Sequence, residues 1–533
     1  MNLLEKILHK AIDRRTFLKA TSLYAMMSLG ATILHPPAIL AQKRSLIPYF
    51  STYPFSVGVA SGDPLPDGII IWTRLIMDRE SMERLRSHPL DVHWEVAEDK
   101  RFKRIVHAGT TVARPDLHYA VHVDVRGLKA NREYYYRFLA GNEQSPIGRT
   151  KTAPAAEEMP SALSFAFASC QNYEHGYYTA FDHMAREELD FVLHLGDYIY
   201  EYGANQLVAP REGKARKHSG GKCKTLSDYR KRYTQYRQDP YLQKAHALFP
   251  WIVVWDDHEV ENNYASDIPQ RGSRRSFLLK RKAAYQAYYE NMPIRLFSEP
   301  QGDTMRIYRS FTYGRLAQFY LLDTRQYRDD QKPGDGWRSL DSIPQDGRTL
   351  LGNEQERWLF KELKSSSAQW NVLAQQVFFS QYIRLKQGKR RVNTDSWDGY
   401  PDARKRLIEY MSNEKVNNPV VLTGDVHSNW VSDIKEDFKD ANAAIIATEF
   451  VGTSITSEGD GSETLSQVEK IKKENPHLLY CNNQRGYVRC QLTEQSWQTD
   501  FRIVPYVSKP YAPIHTHARY IINAGKAGAK RQK

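Results

Sequence analysis

Five apolar segments of the sequence each end in residues that can bind metal ions or anions. Cysteine, aspartate, tyrosine and histidine offer thiolate, carboxylate, phenolate and imidazole donors, and asparagine adds an amide oxygen. Any one such end also suits a helix cap or a turn, but five together predict a site for metals or phosphate. The ends are Ser169-Cys170-Gln171-Asn172, Gly196-Asp197-Tyr198-Ile199-Tyr200, Asp256-Asp257-His258-Glu259 with Asn262-Asn263, Asp323-Thr324-Arg325, and Thr423-Gly424-Asp425-Val426-His427.

The segments that precede these ends have the near-continuous apolar composition of strands buried on both faces. Helix-forming stretches lie between them, and this alternation predicts a layered α/β domain. Because the carboxyl ends of parallel strands form the ligand crevice of such a sheet, we expect the five ends to meet at one edge. The strands are expected at 164–168, 191–195, 251–255, 317–322, 371–374 and 420–422, and the helices at 179–188, 274–289, 354–365 and 401–412.

Residues 50–152 have a different pattern, with short β-prone runs separated by turn residues. This pattern predicts an all-β sandwich of the fibronectin or immunoglobulin type. Residues 146–160 resemble a linker, and the α/β domain is expected over 160–505. A basic tail is expected over 506–533; its last part, 519–533, has five basic residues and no acidic one, so a mobile or loosely docked end is expected.

The first 41 residues are typical of a targeting signal rather than of a folded domain. Arg14-Arg15-Thr16-Phe17-Leu18-Lys19 precedes a short apolar run, and the segment ends in Ala41. It resembles a twin-arginine export signal, with Asp13 where serine or threonine is usual. The resemblance implies export of the folded protein by the twin-arginine translocation machinery to the periplasm or the extracellular space, with no stable transmembrane segment in the mature form. The alternative is a buried amphipathic helix.

Composition narrows the class of protein further. The chain has 533 residues, of which 41% are hydrophobic and 26% charged, and this balance excludes a wholly disordered chain. Four cysteines exclude a disulfide scaffold, although a Cys481–Cys490 bridge is compatible with an oxidising compartment. The net charge of +13 suits anionic ligands. The basic residues are scattered, so no specific nucleic-acid partner is expected; the denser patches at 211–224, 271–282 and 384–391 are solvated faces or an entrance that attracts anionic substrate.

The strand ends resemble the dinuclear metallophosphoesterases, and specifically the alkaline phosphatase D (PhoD) family. The resemblance covers nearly all of the mature chain and implies a four-layer αββα catalytic domain preceded by the family's N-terminal domain. The segments that carry it are Phe167-Ala168-Ser169-Cys170-Gln171, His194-Leu195-Gly196-Asp197-Tyr198-Ile199-Tyr200-Glu201, Trp255-Asp256-Asp257-His258-Glu259, Leu322-Asp323-Thr324-Arg325-Gln326-Tyr327-Arg328, Ser396-Trp397-Asp398-Gly399-Tyr400-Pro401 and Leu422-Thr423-Gly424-Asp425-Val426-His427-Ser428.

The resemblance also implies two groups of metal ligands. Cys170, Asp197, Tyr200 and His427 match the first group, although Cys170 stands where an aspartate is usual and a buried inert thiol is the alternative. Three anionic donors favour Fe³⁺. Tyr200 as a core aromatic is the alternative for that residue.

The second group shares Asp197 and adds Asp257, Asp425 and one of Asn262 and Asn263, although either asparagine is equally suited to cap the next helix. Oxygen ligands favour Ca²⁺ over Zn²⁺. The pairing of Fe³⁺ with Ca²⁺ is what the family resemblance implies as well.

The expected chemistry is hydrolysis of phosphate esters with release of phosphate. An oxygen bound to iron would attack phosphorus in line while calcium binds the non-bridging oxygens. His258 would contact the phosphate or protonate the leaving oxygen, unless it is a structural histidine. Arg325 would form a charge-assisted fork on phosphate or else a surface ion pair.

Two other functions stay open. The first is a phosphodiesterase or phospholipase D-like hydrolase of phospholipid, teichoic acid or other polyanionic diesters. The second is a secreted binding protein without enzymatic activity, which an intact set of metal ligands disfavours.

Overall fold

The computed structural model describes residues 50–85, 88–206, 215–295 and 298–532. The predicted export signal, 1–41, lies outside the described residues, as do residues 211–214 of the first basic patch.

Twenty-five strands and eight helices are present in the described residues. The strands are β1 (Val59–Leu65), β2 (Gly68–Arg74), β3 (Leu90–Ala97), β4 (Ile105–Ala113), β5 (Ala120–Arg126), β6 (Glu133–Ala140), β7 (Glu143–Gln144), β8 (Gly148–Lys151), β9 (Leu163–Ala168), β10 (Phe191–His194), β11 (Pro250–Val253), β12 (Arg309–Tyr313), β13 (Ala317–Leu321), β14 (Trp337–Ser339), β15 (Trp370–Ala374), β16 (Arg384–Lys386), β17 (Lys389–Asn393), β18 (Pro419–Thr423), β19 (Asn429–Lys435), β20 (Ile445–Val451), β21 (Leu478–Asn482), β22 (Arg485–Leu492), β23 (Ser496–Val504), β24 (His515–Asn523) and β25 (Lys530–Gln532). The helices are α1 (Arg79–Leu85), α2 (Thr179–Met184), α3 (Leu226–Arg237), α4 (Pro240–Leu248), α5 (Arg274–Asn291), α6 (Gly352–Ser365), α7 (Pro401–Asn413) and α8 (Val468–Glu474).

Two large sheets form the centre of the fold. One has ten strands in the order β25-β24-β23-β22-β9-β10-β11-β1-β2-β5, and the other has seven in the order β12-β13-β15-β18-β20-β19-β21. In the first sheet β9, β10 and β11 are parallel, and in the second β13, β15, β18 and β20 are parallel. The residues of these parallel strands are mostly apolar and buried. A strand that is covered on both faces has no side facing solvent, so polar and apolar residues do not alternate along it.

The two sheets pack face to face between layers of helices. Phe165 of β9 meets Phe319 of β13 edge to face, with ring centroids 5.3 Å apart. The next residue along β13, Tyr320, points to the opposite face and packs in a core with Leu359 of α6 and Leu407 of α7. On the outer side of the first sheet, Phe181 of α2 packs on Trp251 of β11. The predicted four-layer αββα architecture is confirmed.

The N-terminal β region is divided between two sheets that enclose their own core. A five-stranded sheet contains β4-β3-β6-β7, with β8 also on β6, whereas β1, β2 and β5 belong to the ten-stranded sheet. Ile71 of β2, Val96 of β3 and Tyr136 of β6 share one core, as the predicted sandwich requires. Since β1 pairs in parallel with β11, one sheet of the sandwich continues into the α/β region. The exact domain limits stay a prediction.

The C-terminal residues form strands rather than a loose tail. β24 pairs antiparallel with β23, and β25 pairs with β24. Alternate residues of β24, Ala518, Tyr520 and Ile522, are buried, so a period-two apolar pattern docks this strand on the sheet. The expectation of a mobile or loosely docked end is therefore wrong for the described residues.

Two further findings concern cysteines and membrane spans. Cys481 lies on β21 of the seven-stranded sheet and Cys490 on β22 of the ten-stranded sheet, and both thiols are free and buried. The expected Cys481–Cys490 bridge is therefore wrong, because the two residues belong to different sheets despite their short sequence separation. No helix of the described residues combines the length and the apolar character that crossing a bilayer requires.

Candidate metal centre

The loops that follow four parallel strands carry the predicted ligands. Cys170 follows β9, Asp197 follows β10, and Asp257 follows β11 in the ten-stranded sheet, while Asp425 and His427 follow β18 in the other sheet. A parallel bridge from Ser169 to Ser454 joins the two sheets beside the first loop. The carboxyl ends of both sheets therefore meet at one edge, as the sequence predicts.

Four of these ligands have a left-handed backbone, which is uncommon outside glycine. The φ angles are +58° at Cys170, +54° at Asp197, +61° at Asp425 and +52° at His427. Each such residue costs about 1–3 kcal/mol and persists where the surrounding structure holds it, typically at a functional site. Gly196 supports the turn, because a Cβ there would lie 2.4 Å from the Cβ and backbone nitrogen of Asp256.

Cys170, Asp197 and His427 form the first donor group, with ligand atoms that all lie within 4.8 Å of one another. The Tyr200 hydroxyl joins them: it donates to Asp197 Oδ2 at 2.7 Å and lies 3.4 Å from His427 Nε2. Ser457 Oγ lies 2.6 Å from the same hydroxyl and donates to the Cys170 carbonyl at 2.8 Å. The structure thus brings together all four residues predicted for the first metal.

The second donor group is contiguous with the first. Ligand atoms of Asp197, Asp257 and His258 lie within 4.8 Å of one another, as do those of Asp256, Asp257 and Asp425. Asp197 belongs to both the first and the second cluster, which is the position expected of a bridging ligand. The carboxylates of this group supply the oxygen-rich surroundings predicted for a hard cation.

The two candidate asparagines lie beside the second group in different ways. Asn263 donates its backbone N–H to Asp257 Oδ2 at 2.6 Å and its side-chain N–H to Asp335 Oδ1 at 2.8 Å. Asn262 donates its backbone N–H to Glu201 Oε1 at 3.3 Å. Both residues are close to the acidic cluster, and the choice between them as a ligand stays a prediction.

The electrostatics of the cluster suit a bound cation. Burial is the main cause that raises the pKa of the Cys170 thiol and of the Tyr200 phenol, and the nearby Asp197 carboxylate raises both pKa values further. Burial and the surrounding carboxylates, despite the opposing effect of His258, raise the pKa of Asp197. Burial and then Asp256 raise the pKa of Asp425. A bound metal ion would favour the anionic forms of these four buried groups, so this donor set fits highly charged metal ions.

His258 is held against the first donor group. Its Nδ1 lies 2.8 Å from Glu201 Oε2, and its ring stacks on Tyr200 with a centroid distance of 4.2 Å. Burial alone would lower the pKa of His258, but the carboxylates of Asp257, Asp197 and Glu201 outweigh burial and hold it well above its usual range.

Arg325 is placed differently from either expectation. Its side chain is fully buried; Nε donates to Asp256 Oδ1 at 2.5 Å, and Nη1 contacts both oxygens of Asp395 at 2.8 Å. Only Nη2 faces the ligands, 3.4 Å from Asp257 Oδ1 and 3.3 Å from Asp425 Oδ1. A surface ion pair is wrong, because Arg325 is fully buried. Since Nε and Nη1 are occupied by buried carboxylates, contact of Arg325 with phosphate stays a prediction that concerns Nη2.

Several carboxylates near the site are absent from the predicted ligand set. Glu201 and Asp256 are sequence neighbours of predicted ligands, so the motif itself contained a signal for them. Asp395 and Glu458 lie in other loops; Glu458 Oε1 is 3.4 Å from Nδ1 of His427. Carboxylates that orient a ligand histidine or an arginine in this way usually fix ligand geometry.

The fold and the two adjoining candidate metal clusters fit a phosphoesterase, and comparisons with known proteins identify the family. A family model described as PhoD-like phosphatase matches residues 165–501, and one for the N-terminal domain of PhoD-like phosphatases matches residues 41–154. The chain belongs to the PhoD-like phosphatase family.

Individual relatives agree with this assignment. Alkaline phosphatase D of Bacillus subtilis (strain 168) is 50% identical over 529 residues, which is 99% of this chain and 90% of that protein. A solved structure described as that of PhoD superposes with a TM-score of 0.89 at 51% identity, covering 91% of this chain and 93% of the other.

Proposed function

We propose that this phosphoric ester hydrolase is a metal-dependent phosphatase that works at the shared carboxyl edge of the two sheets. The observation that carries the proposal is the presence of Asp197 in both donor clusters. Two adjacent groups that share one carboxylate are the arrangement expected of a two-metal hydrolase. Membership in the PhoD-like phosphatase family supports phosphate esters as the substrates.

We further propose Fe³⁺ at Cys170, Asp197, Tyr200 and His427, and Ca²⁺ at the oxygen-rich neighbouring group. Three anionic donors around one position favour the ion of higher charge, whereas carboxylate and amide oxygens favour calcium. When bound, such cations lower the pKa of a water molecule and neutralise the phosphoryl oxygens.

The chain's own residues orient the substrate and move the proton. Because Glu201 occupies Nδ1 of His258, Nε2 is the ring nitrogen available to donate to a phosphate oxygen or to the leaving oxygen. Arg325 acts as a positioning residue, since its Nη2 forms ion pairs with the carboxylates of Asp257 and Asp425. Buried Asp256 and Asp395 fix that guanidinium in turn.

Export through the twin-arginine pathway is also proposed. Arg14-Arg15 and the apolar run after it support export, and the matched family domains begin at residue 41, where the predicted signal ends. Replacing Arg14 and Arg15 by lysine should retain the protein in the cytoplasm, as measured by fractionation and immunoblotting. Unchanged export of that variant would refute this route.

Metal analysis combined with two chromogenic substrates tests the activity. The purified protein should contain iron and calcium and should release p-nitrophenol from p-nitrophenyl phosphate. Preference for bis(p-nitrophenyl) phosphate would favour the diesterase alternative, and inactivity on both would refute the proposed function.

The identity of the iron ligands has an optical test. Thiolate and phenolate bound to Fe³⁺ should give visible charge-transfer absorption, which Cys170→Ser should change. A colourless and fully active enzyme would contradict the iron assignment.

A further inference from the structure

Tyr202 lies beside His258 at the side of the candidate metal centre that reaches solvent. Its ring centroid is 5.5 Å from that of His258, and the two ring planes are inclined by 57°. Tyr200 stacks on the same histidine at 4.2 Å, but Tyr200 is buried, whereas Tyr202 is half-buried. Two tyrosines therefore flank His258, and Tyr202 is the one of these two that is accessible from outside.

The backbone of Tyr202 is fixed to that of a predicted iron ligand. The side chain of Arg232 is almost fully buried, and its Nη1 donates to the carbonyl oxygens of both Tyr200 and Tyr202. One buried guanidinium thus holds the two tyrosines at a set distance from each other. The position of Tyr202 is therefore defined by the same segment that carries the ligand Tyr200.

A lysine restrains the ring of Tyr202 as well. Lys222 Nζ lies 5.2 Å from the Tyr202 ring centroid and 3.7 Å from Glu201 Oε1. The other oxygen of Glu201 lies 2.8 Å from His258 Nδ1. A cation above an aromatic ring is worth about 0.5–1 kcal/mol at exposed sites. Lys222 and His258 therefore position the ring before a substrate binds.

The hydroxyl of Tyr202 has no hydrogen-bond partner within the part of the chain that the structure describes. The Tyr200 hydroxyl, in contrast, donates to Asp197 Oδ2 at 2.7 Å. Burial is the main cause that raises the pKa of the Tyr202 phenol, and the carboxylates of Glu201 and Asp257 raise it further. These carboxylates therefore lie near the hydroxyl, which is left free to donate to a group that enters the site.

The position of Tyr202 decides which part of a substrate it can meet. The predicted ligands Cys170, Asp197 and Tyr200 are buried, so a phosphoryl group bound among them must direct its organic part towards solvent. Tyr202 lies on that path, because it is half-buried and flanks His258. Its hydroxyl is thus expected beside the oxygen that joins phosphorus to the leaving group.

We propose that Tyr202 is a further catalytic residue, whose hydroxyl donates a hydrogen bond to the leaving oxygen. This inference rests on the proposed function and adds a contact with the substrate to it. Negative charge develops on the leaving oxygen as its bond to phosphorus breaks, so a positioned donor stabilises the transition state more than the bound substrate. The gain is larger for a more basic leaving oxygen, because that oxygen depends more on a donor.

Tyr202→Phe removes the hydroxyl and keeps the ring, so it tests the hydrogen bond alone. Phenyl phosphate and p-nitrophenyl phosphate are a matched pair of substrates, because they share an aryl group and differ in the basicity of the leaving oxygen. For the holoenzyme, kcat/KM should fall about tenfold on phenyl phosphate and less than about threefold on p-nitrophenyl phosphate. Iron content, calcium content and visible absorption should equal those of the wild type.

Tyr135→Phe is the matched control, because Tyr135 is also half-buried but belongs to β6 in the N-terminal region. It should leave kcat/KM unchanged on both substrates. Equal losses of kcat/KM on the two substrates in Tyr202→Phe, or no loss on phenyl phosphate, would overturn the proposal. Loss of metal from that variant would overturn it too, since the hydroxyl would then support the metal site. A wild-type enzyme that hydrolyses neither substrate would instead refute the proposed function.

Discussion

Asp395→Asn should separate the role of the buried Arg325 network from the stability of the fold. Asp395 is almost fully buried and binds Nη1 of Arg325 with both oxygens at 2.8 Å. It also accepts from Arg328 Nη1 at 2.7 Å and from Gln331 at 2.9 Å. Burial would raise the pKa of Asp395, but Arg325 and Arg328 outweigh it and hold that pKa below its usual range, so the carboxylate is charged at neutral pH.

The expected loss of stability follows from the buried charge of Arg328, which loses its carboxylate partner in the Asp395→Asn variant. Asparagine keeps the shape of the side chain and one acceptor oxygen, but it leaves Arg328 with neutral acceptors only, among them the backbone carbonyls of Thr324 and residue 395 itself. Breaking one side of a buried ion pair costs about 3–5 kcal/mol, or at least a hundredfold in the folding equilibrium. Urea unfolding followed by tryptophan fluorescence measures this loss.

The expected loss of metal affinity follows from the freedom that Arg325 gains. Without Asp395 the guanidinium can move towards Asp257 and Asp425, which it already approaches at 3.4 and 3.3 Å. It would then compete with a cation for both carboxylates. Calcium affinity, measured by titration of the calcium-depleted enzyme, should fall by about 10–100-fold, as is usual for groups that support metal ligands.

Asp398→Asn is the matched control. Asp398 is equally buried, pairs with Arg404 at 2.6 Å and accepts a backbone N–H at 2.8 Å, but contacts none of the ligands. The Asp398→Asn variant should lose about as much unfolding free energy as Asp395→Asn and should keep the calcium affinity of the wild type. If Asp395→Asn bound calcium as tightly as the wild type while unfolding as early as the control, the positioning role of Asp395 and Arg325 would be refuted.

Three further predictions concern the ligands and the pH dependence of stability. Asp197→Ala should abolish metal binding and turnover together; retained activity and iron would show that the site is assigned incorrectly. Glu458→Gln should weaken iron binding about 10–100-fold, because Glu458 supports Nδ1 of His427, and metal analysis after dialysis would detect no loss if that support were irrelevant. Burial raises the pKa of Asp433 to about 6, above its unfolded value, so its contribution to stability is complete at pH 3 and is lost as pH rises through 6. Asp433→Asn should therefore raise the thermal midpoint at pH 8 but not at pH 4, and an equal shift at both would contradict the pKa.

The clustering of the predicted ligands was predictable from the sequence because each of them follows an apolar strand by a few residues. Cys170, Asp197 and Asp257 follow three parallel strands of one sheet, and the topology of such sheets brings strand ends to one edge. Local residue order therefore carried the information about which side chains meet. The same reasoning predicted the alternation of strands and helices and the layered fold.

The tertiary structure alone decided how those ligands are supported and charged. Arg325 could not be distinguished from a phosphate-binding arginine in the sequence, because its partner Asp395 is 70 residues away. Ser457, which contacts the Tyr200 hydroxyl, is 257 residues from it. The docking of β24 and the separation of Cys481 from Cys490 depended likewise on which sheet each strand joined. Hydrogen bonds and ion pairs are made at about 3 Å between groups that are distant along the chain, and no local pattern of residues records those distances.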